Sequence, residues 1–165
     1  MVKVIITGPE SSGKTTLCKA LSKHFKVPFS YEYAREYLKA KKNKYTQTDL
    51  ISIARGQLES EKGSRILDTD LITIKIWSNH KYGNCDKWIL KQINKQKSER
   101  RFYILCKPDI AWKEDVLREN PKDRMNLFEI YKKELKELRC KYHIVKGKNR
   151  TINAIKKISA QTDFL

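Results

Sequence analysis

A single stretch near the start of the chain constrains the fold more than any other feature. Residues 2–7 form an almost continuous apolar run rich in Val and Ile, which is typical of a strand buried on both faces of a parallel sheet. The pattern Gly8-x-x-x-x-Gly13-Lys14-Thr15 follows it directly. Apolar residues then recur at helical spacing, at Leu17, Leu21 and Phe25. The stretch therefore predicts a strand, a glycine-dependent turn and a helix in immediate succession.

This strand–turn–helix arrangement is the context in which such a loop binds phosphate groups. The glycines let the backbone N–H groups point inward, and the start of the helix adds the positive end of its dipole. In loops of this kind the lysine bridges the β- and γ-phosphates of a nucleoside triphosphate, and the Thr hydroxyl helps to hold Mg²⁺. The predicted cofactors are therefore ATP and Mg²⁺. The predicted nucleotide-binding residues are Gly8, Glu10, Ser11, Ser12, Gly13, Lys14, Thr15 and Thr16.

The rest of the chain alternates between strand patterns and helix patterns. Further strands are predicted at 27–33, 64–70, 101–106 and 141–145. Further helices are predicted at about 34–41, 46–62, from 72 onward, 127–138 and 152–158. This alternation predicts one domain over residues 1–165 with a three-layer α/β/α fold, in which a five-stranded parallel sheet carries the phosphate-binding loop (P-loop).

The composition is strongly basic. The chain has 36 Lys and Arg residues against 19 Asp and Glu, which gives a net charge of +17 at pH 7. Such an excess is compatible with a nucleic-acid partner. However, no aromatic residues are interleaved with the basic runs, as they are in surfaces that stack single-stranded bases. An ordinary lysine-rich surface is the favoured interpretation, and a nucleic-acid partner stays open.

No apolar run is long enough to cross a membrane, and the first residues lack the pattern of a secretory signal. The four cysteines are scattered without a Cys-x-x-Cys pair, which favours reduced thiols over a disulfide framework or a zinc site. We therefore expect a soluble cytoplasmic protein without a membrane partner.

Residues outside the loop favour a kinase over other P-loop proteins. A GTPase would need Asn-Lys-x-Asp at a strand end, whereas the strand at 101–106 is followed by Lys107-Pro108-Asp109-Ile110. A small kinase needs an acid near the acceptor hydroxyl, and a lid that excludes the water which would otherwise hydrolyse ATP. The sequence has candidates for both.

Three acids follow predicted strands. Glu32 ends the second strand, and Asp68 and Asp70 end the third, at the sheet edge that also carries the P-loop. Two adjacent carboxylates repel each other unless a cation lies between them, so both Asp residues are predicted to bind Mg²⁺ together with Thr15. Glu32 or Asp68 is predicted to accept the proton of the attacking hydroxyl. The alternative for Glu32 is a solvated carboxylate or an ion pair with Arg35.

The lid candidate is the charged segment AWKEDVLRENPKDR, residues 111–124. Its two arginines, Arg118 and Arg124, are predicted to reach the transferring phosphate and to offset its developing charge. The alternative is an exposed charged loop in which at least one of these arginines has no such role.

Four segments together resemble the ribosylnicotinamide kinase domain of NadR-type bacterial NAD-salvage proteins. They are GPESSGKTTL, YEYAREYL (31–38), ILDTDLIT (66–73) and AWKEDVLRENPKDR. The resemblance covers nearly the whole chain and is more specific than the P-loop alone. It implies ATP-dependent phosphorylation of the 5′-hydroxyl of nicotinamide riboside, which gives nicotinamide mononucleotide and ADP.

The resemblance also implies which residues meet the substrate. The implied substrate residues are Tyr31, Glu32, Arg35, Asp70 and Tyr82, with Lys14, Glu32, Asp68, Arg118 and Arg124 as the catalytic set. The family has a tryptophan at the position of Tyr31, so the residue that stacks on the nicotinamide ring stays open. Trp77 is a further candidate, although packing is its favoured role. An aromatic and acidic cluster suits the cationic pyridinium of this substrate.

Two other functions remain open at this stage. One is another P-loop kinase acting on nucleosides, nucleotides or the 5′ ends of nucleic acids. The other, which rests only on the basic surface, is a nucleic-acid-binding ATPase.

Overall fold

A parallel five-stranded sheet forms the centre of the computed structural model, which describes residues 1–115, 118–119 and 121–161. The strands are β1 (Lys3–Thr7), β2 (Phe29–Ser30), β3 (Ile66–Asp68), β4 (Arg101–Cys106) and β5 (Lys141–Val145). Their order in the sheet is β2-β3-β1-β4-β5, and every neighbouring pair is parallel. The predicted five-stranded parallel sheet is confirmed.

Seven helices among the described residues cover both faces of the sheet. They are α1 (Lys14–Phe25), α2 (Tyr33–Ala40), α3 (Asp49–Ser60), α4 (Leu71–Tyr82), α5 (Lys87–Gln96), α6 (Arg124–Glu137) and α7 (Arg150–Ser159). The buried residues of α1 and α7 share one core, and those of α2 to α6 share the other. The predicted three-layer α/β/α architecture is therefore confirmed.

The two cores lie on opposite faces of the sheet, and successive side chains along each strand point alternately into one core and the other. In β1, Val4 and Ile6 point into the core beneath α1 and α7, whereas Ile5 points into the other core. Neighbouring strands follow the same alternation, since Ile5 lies beside Leu67 and Tyr103 in register. A strand that is buried on both faces must be apolar at successive positions, which explains the continuous run from which it was predicted.

Two predicted strands are shorter than the sequence patterns indicated. The segment 27–33 pairs only over Phe29–Ser30, and the segment 64–70 pairs only over Ile66–Asp68. Thr69 has a left-handed backbone with φ 69°, which ends β3. Asp70 then caps α4, because its carboxylate accepts the Ile72 N–H at 3.0 Å.

Helix α5 was not predicted. It begins after Asp86, whose carboxylate accepts the N–H of Trp88 at 2.7 Å, and it buries Ile89 and Ile93 on the side facing the core. The sequence does carry a signal for this helix, since Ile89 and Ile93 are one turn apart and Asp86 is a suitable N-cap, and packing against α4 adds to its stability.

Helices α2 and α3 approach closely at Gly56. A Cβ atom at this position would lie 2.0 to 2.4 Å from ring carbons of Tyr33. Glycine is therefore required here by the neighbouring ring, although it is a poor helix former.

Among the described residues, no helix is both long enough and apolar enough to span a membrane.

Candidate active site

The P-loop of residues 8–13 closes around the side chain of Lys14. Its ammonium group donates to the carbonyl oxygens of Gly8 at 3.0 Å and Pro9 at 2.9 Å. Gly8 has φ 136°, and a Cβ atom there would lie 2.7 Å from the carbonyl oxygen of Cys106 in the neighbouring strand. Glycine is needed at this position because the loop passes so near to β4.

The last helix also holds the P-loop, a contact that sequence reasoning missed. Arg150, at the start of α7, donates from Nη1 to the carbonyl oxygen of Ser12 at 2.7 Å and forms an ion pair with Asp109. Asp109 also accepts the N–H of Gly147 at 2.7 Å. No sequence signal could have found this contact, since it joins residues 138 positions apart.

Thr15 and Asp68 meet at the carboxyl edge of the sheet. The Thr15 hydroxyl donates to Oδ2 of Asp68 at 2.5 Å, while Oδ1 of Asp68 is buried without a hydrogen-bond partner in the described part of the chain. Burial raises the pKa of the Asp68 carboxyl, and the nearby Lys14 ammonium partly offsets this effect. An orphaned carboxylate oxygen beside a hydroxyl is the kind of hard-oxygen arrangement that Mg²⁺ prefers.

The oxygens at this edge fit a P-loop Mg²⁺ ion better than a closed protein metal site. The described residues contain no group of three or more His, Cys, Asp or Glu side chains that could enclose a metal ion. Mg²⁺ is usually held by one or two protein oxygens together with substrate phosphates and water. Thr15 and Asp68 would supply that protein contribution, and the bound ion would neutralise charge on the phosphates.

Glu32 lies in the same pocket as the P-loop, at the start of α2. Its carboxylate is 3.4 Å from Nε of Arg35, and Nη1 of Arg35 is 2.9 Å from Asp115 in the lid segment. Burial raises the pKa of the Glu32 carboxyl, Lys14 and Arg35 lower it, and the charge of Asp68 raises it further. The ion pair that the sequence left open is therefore formed, within the pocket rather than in solvent.

Part of the pocket lining is aromatic and apolar, and we call this part the aromatic wall. Tyr45, Trp77 and Tyr131 form it together with Leu38, Ile76 and Leu127. The indole N–H of Trp77 donates to the hydroxyl of Tyr45 at 3.1 Å, and the two ring centres are 5.1 Å apart. The pocket lining thus extends from the P-loop to these aromatic side chains.

Tyr45 and Tyr131 were not predicted as site residues. Tyr45 follows a basic run and Tyr131 lies in the apolar pattern of α6, so neither position carries a distinguishing sequence signal. Trp77, for which packing was the favoured role, contacts the core and also lines the pocket.

The lid segment of residues 111–124 lies across the P-loop. Positions 116, 117 and 120 fall outside the described residues. The Glu119 N–H donates to both carboxylate oxygens of Glu10, at 3.1 and 3.2 Å, and the Lys113 N–H donates to the Ser11 hydroxyl at 3.0 Å. The segment is therefore attached to the loop that it was predicted to cover.

The Glu119 side chain joins the lid to the aromatic wall. Its carboxylate accepts from the Tyr45 hydroxyl at 3.0 and 3.1 Å and forms an ion pair with Lys81 at 2.9 Å. The Lys81 ammonium also lies 4.1 Å from the centre of the Tyr45 ring. One side chain thus connects the P-loop side of the pocket with its aromatic side.

The two lid arginines occupy different positions. Arg118 lines the pocket, donates to the Lys113 carbonyl and keeps its Nε buried without a partner among the described residues. Arg124, the first residue of α6, donates to the carbonyl oxygens of Ser11 at 3.1 Å and Ile110 at 3.0 Å. Arg118 is therefore placed to meet a ligand, whereas Arg124 braces the outside of the P-loop.

The structure does not bring Asp70 to the pocket. Its carboxylate is fully buried and accepts from the Tyr103 hydroxyl at 2.7 Å and from Arg101 at 3.2 Å. The left-handed turn at Thr69 directs Asp68 and Asp70 to different surroundings, and the cation that balances Asp70 is Arg101. The predicted metal and substrate roles of Asp70 are replaced by capping α4 and pairing with Arg101.

Two tyrosines predicted at the substrate also lie elsewhere. Tyr31 is 60% exposed, with its ring packed against Phe29 at a centre-to-centre distance of 4.5 Å. Tyr82, the last residue of α4, packs against the hydrophobic core. Neither tyrosine lines the pocket. Tyr45 and Trp77 do line it, and they are aromatic side chains on which a substrate ring could stack.

Comparison with known proteins begins with the sequence model of a protein family described as an AAA domain, which matches residues 3–151. The chain belongs to this family. No curated protein matches the sequence significantly.

Solved structures share the fold of this AAA-family chain. A NadR protein in complex with NR superposes with a TM-score of 0.73 at 24% identity, over 98% of this chain and 50% of that one. This chain thus spans about half the length of that NadR protein. Deoxyadenosine kinase from M. mycoides, with bound products, has a TM-score of 0.65 at 16% identity, over 97% of this chain and 99% of the kinase. Shikimate kinase from Acinetobacter baumannii, in complex with shikimate, has a TM-score of 0.54 at 16% identity, over 95% of this chain and 90% of that kinase. The resemblance to NadR noted in the sequence is confirmed at the level of the fold.

Proposed function

We propose that this protein is an ATP-dependent, Mg²⁺-requiring kinase that phosphorylates the 5′-hydroxyl of nicotinamide riboside. The observation that carries the proposal is a single pocket lined both by the P-loop and by an aromatic wall, with Glu32 in the same lining. The loop suits a triphosphate donor, and the wall suits a planar ring. A nucleoside acceptor is expected from this division.

The proposed reaction assigns a role to each of four residues of the site. The 5′-hydroxyl oxygen attacks the γ-phosphorus of ATP, the bond from that phosphorus to the β–γ bridging oxygen breaks, and ADP leaves. Glu32 takes the hydroxyl proton, because it lies in the pocket while Asp68 is engaged with Thr15. Lys14 exchanges its carbonyl partners for phosphate oxygens, and Arg118 offsets charge on the transferring group.

The nicotinamide ring is assigned to the aromatic wall of Tyr45 and Trp77. A pyridinium cation is attracted to aromatic faces and to nearby carboxylates such as that of Glu119. The similarity to a NadR structure that contains NR supports this acceptor.

A neutral nucleoside is the second candidate, and Lys81 favours it. The Lys81 ammonium donates to the Tyr45 hydroxyl at 2.5 Å and lies 4.1 Å from the centre of that ring, so a positive charge is already present at the polar edge of the aromatic wall. A neutral base would meet less repulsion there than a pyridinium ring would. The similarity to deoxyadenosine kinase supports the same alternative.

A panel of acceptors tests both candidates. ADP release is measured with nicotinamide riboside, adenosine, deoxyadenosine, thymidine, uridine, shikimate and an oligonucleotide bearing a free 5′-hydroxyl, and the products are identified by mass. We expect nicotinamide mononucleotide from the first acceptor, and a loss of at least about 100-fold for Lys14→Ala. The control Lys23→Ala, an exposed lysine of the same helix, is expected to keep wild-type turnover. Turnover of another nucleoside without nicotinamide riboside would overturn the proposed substrate.

A further inference from the structure

The outer layer formed by α1 and α7 carries charge of only one sign. The two helices pack on the same face of the sheet and share a core that includes Leu21, Ala154 and Ile158. Residues 11–31 and 138–161, which contain both helices, include no Asp or Glu. The exposed basic residues of this layer include Lys19, Lys23, Lys26, Lys148, Lys156 and Lys157. We call this surface the α1–α7 face.

None of the six lysines of the α1–α7 face forms an ion pair with any described residue. The same is true of Lys87, Lys91, Lys95 and Lys97 at α5, so the face is distinguished by the absence of Asp and Glu from its two segments. The charge of Lys19 contributes to lowering the pKa of the Asp68 carboxyl. The field of the face also reaches a neighbouring strand, since Lys157 together with burial lowers the pKa of His143 in β5. The two segments of the face therefore carry positive charge that no acidic residue within them offsets.

Both helices of the face contribute exposed lysines. Lys19 and Lys23 lie one turn apart on α1, and Lys156 and Lys157 lie on the exposed side of α7, which packs against α1. Because the axes of packed helices are about 8–10 Å apart and the grooves of a duplex are roughly 6–12 Å wide, lysines from both helices can reach the phosphates of one duplex.

We propose that the α1–α7 face binds the phosphate backbone of double-stranded nucleic acid without reading its sequence. Single strands fit less well because the lysine-bearing helices α1 and α7 carry no exposed Phe, Tyr or Trp side chain among their described residues to serve as a stacking platform. An anionic membrane fits less well because Ile152, at 54%, is the one exposed large apolar residue of α1 and α7. The proposal goes beyond the kinase activity and does not depend on it.

Salt-dependent binding of a fluorescently labelled DNA duplex tests the proposal by anisotropy. The test variant is Lys19→Gln/Lys23→Gln/Lys156→Gln/Lys157→Gln. The matched control is Lys87→Gln/Lys91→Gln/Lys95→Gln/Lys97→Gln, which removes the same number of exposed lysines from α5 and its end, on the opposite side of the sheet. Thermal unfolding establishes that both variants fold. If the quadruple variant does not fold, it is replaced by two double variants, Lys19→Gln/Lys23→Gln and Lys156→Gln/Lys157→Gln.

We expect the wild-type association constant to fall steeply with salt, with a logarithmic slope of about −0.9 for each phosphate contacted. The α1–α7 variant is expected to reduce the magnitude of that slope by about 2–4 and to lose at least about 10-fold in affinity at low salt. The α5 control is expected to change either quantity much less. Three results would each overturn the proposal: no salt-dependent duplex binding, an equal loss in the α5 control, or binding to anionic phospholipid vesicles without binding to the duplex.

Discussion

The Thr15 hydroxyl donates to Oδ2 of Asp68 at 2.5 Å, and the second oxygen of that carboxylate is buried with no partner among the described residues. This contact joins the first turn of α1 to the end of β3. The arrangement is costly in the free protein, because a buried carboxylate with an unsatisfied oxygen destabilises the fold. The buried oxygen of such a site gains a partner only when ligands bind, so we expect the site to lower the stability of the free protein while it supports activity.

Asp68→Asn is therefore expected to separate activity from stability. The amide cannot replace the carboxylate charge beside Mg²⁺, so phosphoryl transfer should fall at least about 100-fold. The free energy of unfolding should stay equal or rise, because the substitution removes a buried charge whose pKa is raised by burial. Initial rates at saturating Mg²⁺ and urea unfolding of the same preparation measure the two quantities. A variant that loses both in parallel would contradict the metal assignment.

Arg35→Met is expected to move the acidic limb of the pH–rate profile to higher pH. Arg35 lowers the pKa of the Glu32 carboxyl, so its removal raises that pKa, and a higher pH is then needed to form the carboxylate that accepts the proton. The measurement is kcat/KM against pH. Arg55→Met, on α3 with its guanidinium 4.5 Å from the centre of the Trp88 ring, is the control and should leave the limb unchanged. An unshifted limb in Arg35→Met would argue that Glu32 is not the base.

Glu61 is expected to make the fold less stable as the pH rises from about 5 to 8. Burial raises the pKa of its carboxyl to about 7, despite the ion pair with Arg101 at 2.6 Å. A folded-state pKa above the unfolded value gives stability that is present in acid and lost as the pH rises through the folded value. One pKa unit corresponds to about 1.4 kcal/mol, so the loss is on the order of 2–3 kcal/mol.

The urea midpoint against pH, for wild type and Glu61→Gln, measures this contribution. The Gln variant does not titrate at this position and should show a flatter profile between pH 5 and 8. Glu59→Gln, at an exposed position on the same helix, is the control and should follow the wild-type profile. Parallel profiles for wild type and Glu61→Gln would show that Glu61 does not titrate in this range.

Gly56→Ala is expected to destabilise the protein, although alanine normally stabilises a helix by about 1 kcal/mol over glycine. The added methyl group would lie 2.0 to 2.4 Å from the Tyr33 ring, so either the ring or the two helices must shift, at a cost of about 1–3 kcal/mol. Thermal unfolding of Gly56→Ala, Tyr33→Ala and the double variant gives the coupling free energy between the two positions. If the clash is the cause, the alanine substitution should cost much less in the Tyr33→Ala background.

Glu119→Ala is expected to raise ATP hydrolysis relative to phosphoryl transfer. The substitution removes the carboxylate that joins the lid to Tyr45 and Lys81, so water should enter the pocket more readily. The ratio of ADP released to acceptor phosphorylated measures the effect. Glu114→Ala, exposed in the same segment, is the control and should keep the wild-type ratio. An unchanged ratio in Glu119→Ala would show that this contact does not control the lid.

The amino-acid sequence by itself determined the layered fold and the donor half of the site. The apolar run of β1, the glycines of the loop and the helical spacing after Lys14 are local features, and each backbone element follows from residues near one another in the chain. The parallel order of the sheet follows from alternating strands and helices in the same way.

Only the tertiary structure decided which side chains share the pocket. Asp68 and Asp70 are two residues apart, yet the turn at Thr69 directs one towards Thr15 and the other towards Arg101. Tyr45 and Trp77 meet across 32 positions and Arg150 reaches Ser12 across 138, because helix packing brings their backbones together. Sequence patterns record which face of an element is apolar, whereas side-chain contacts between distant elements depend on how those faces pack.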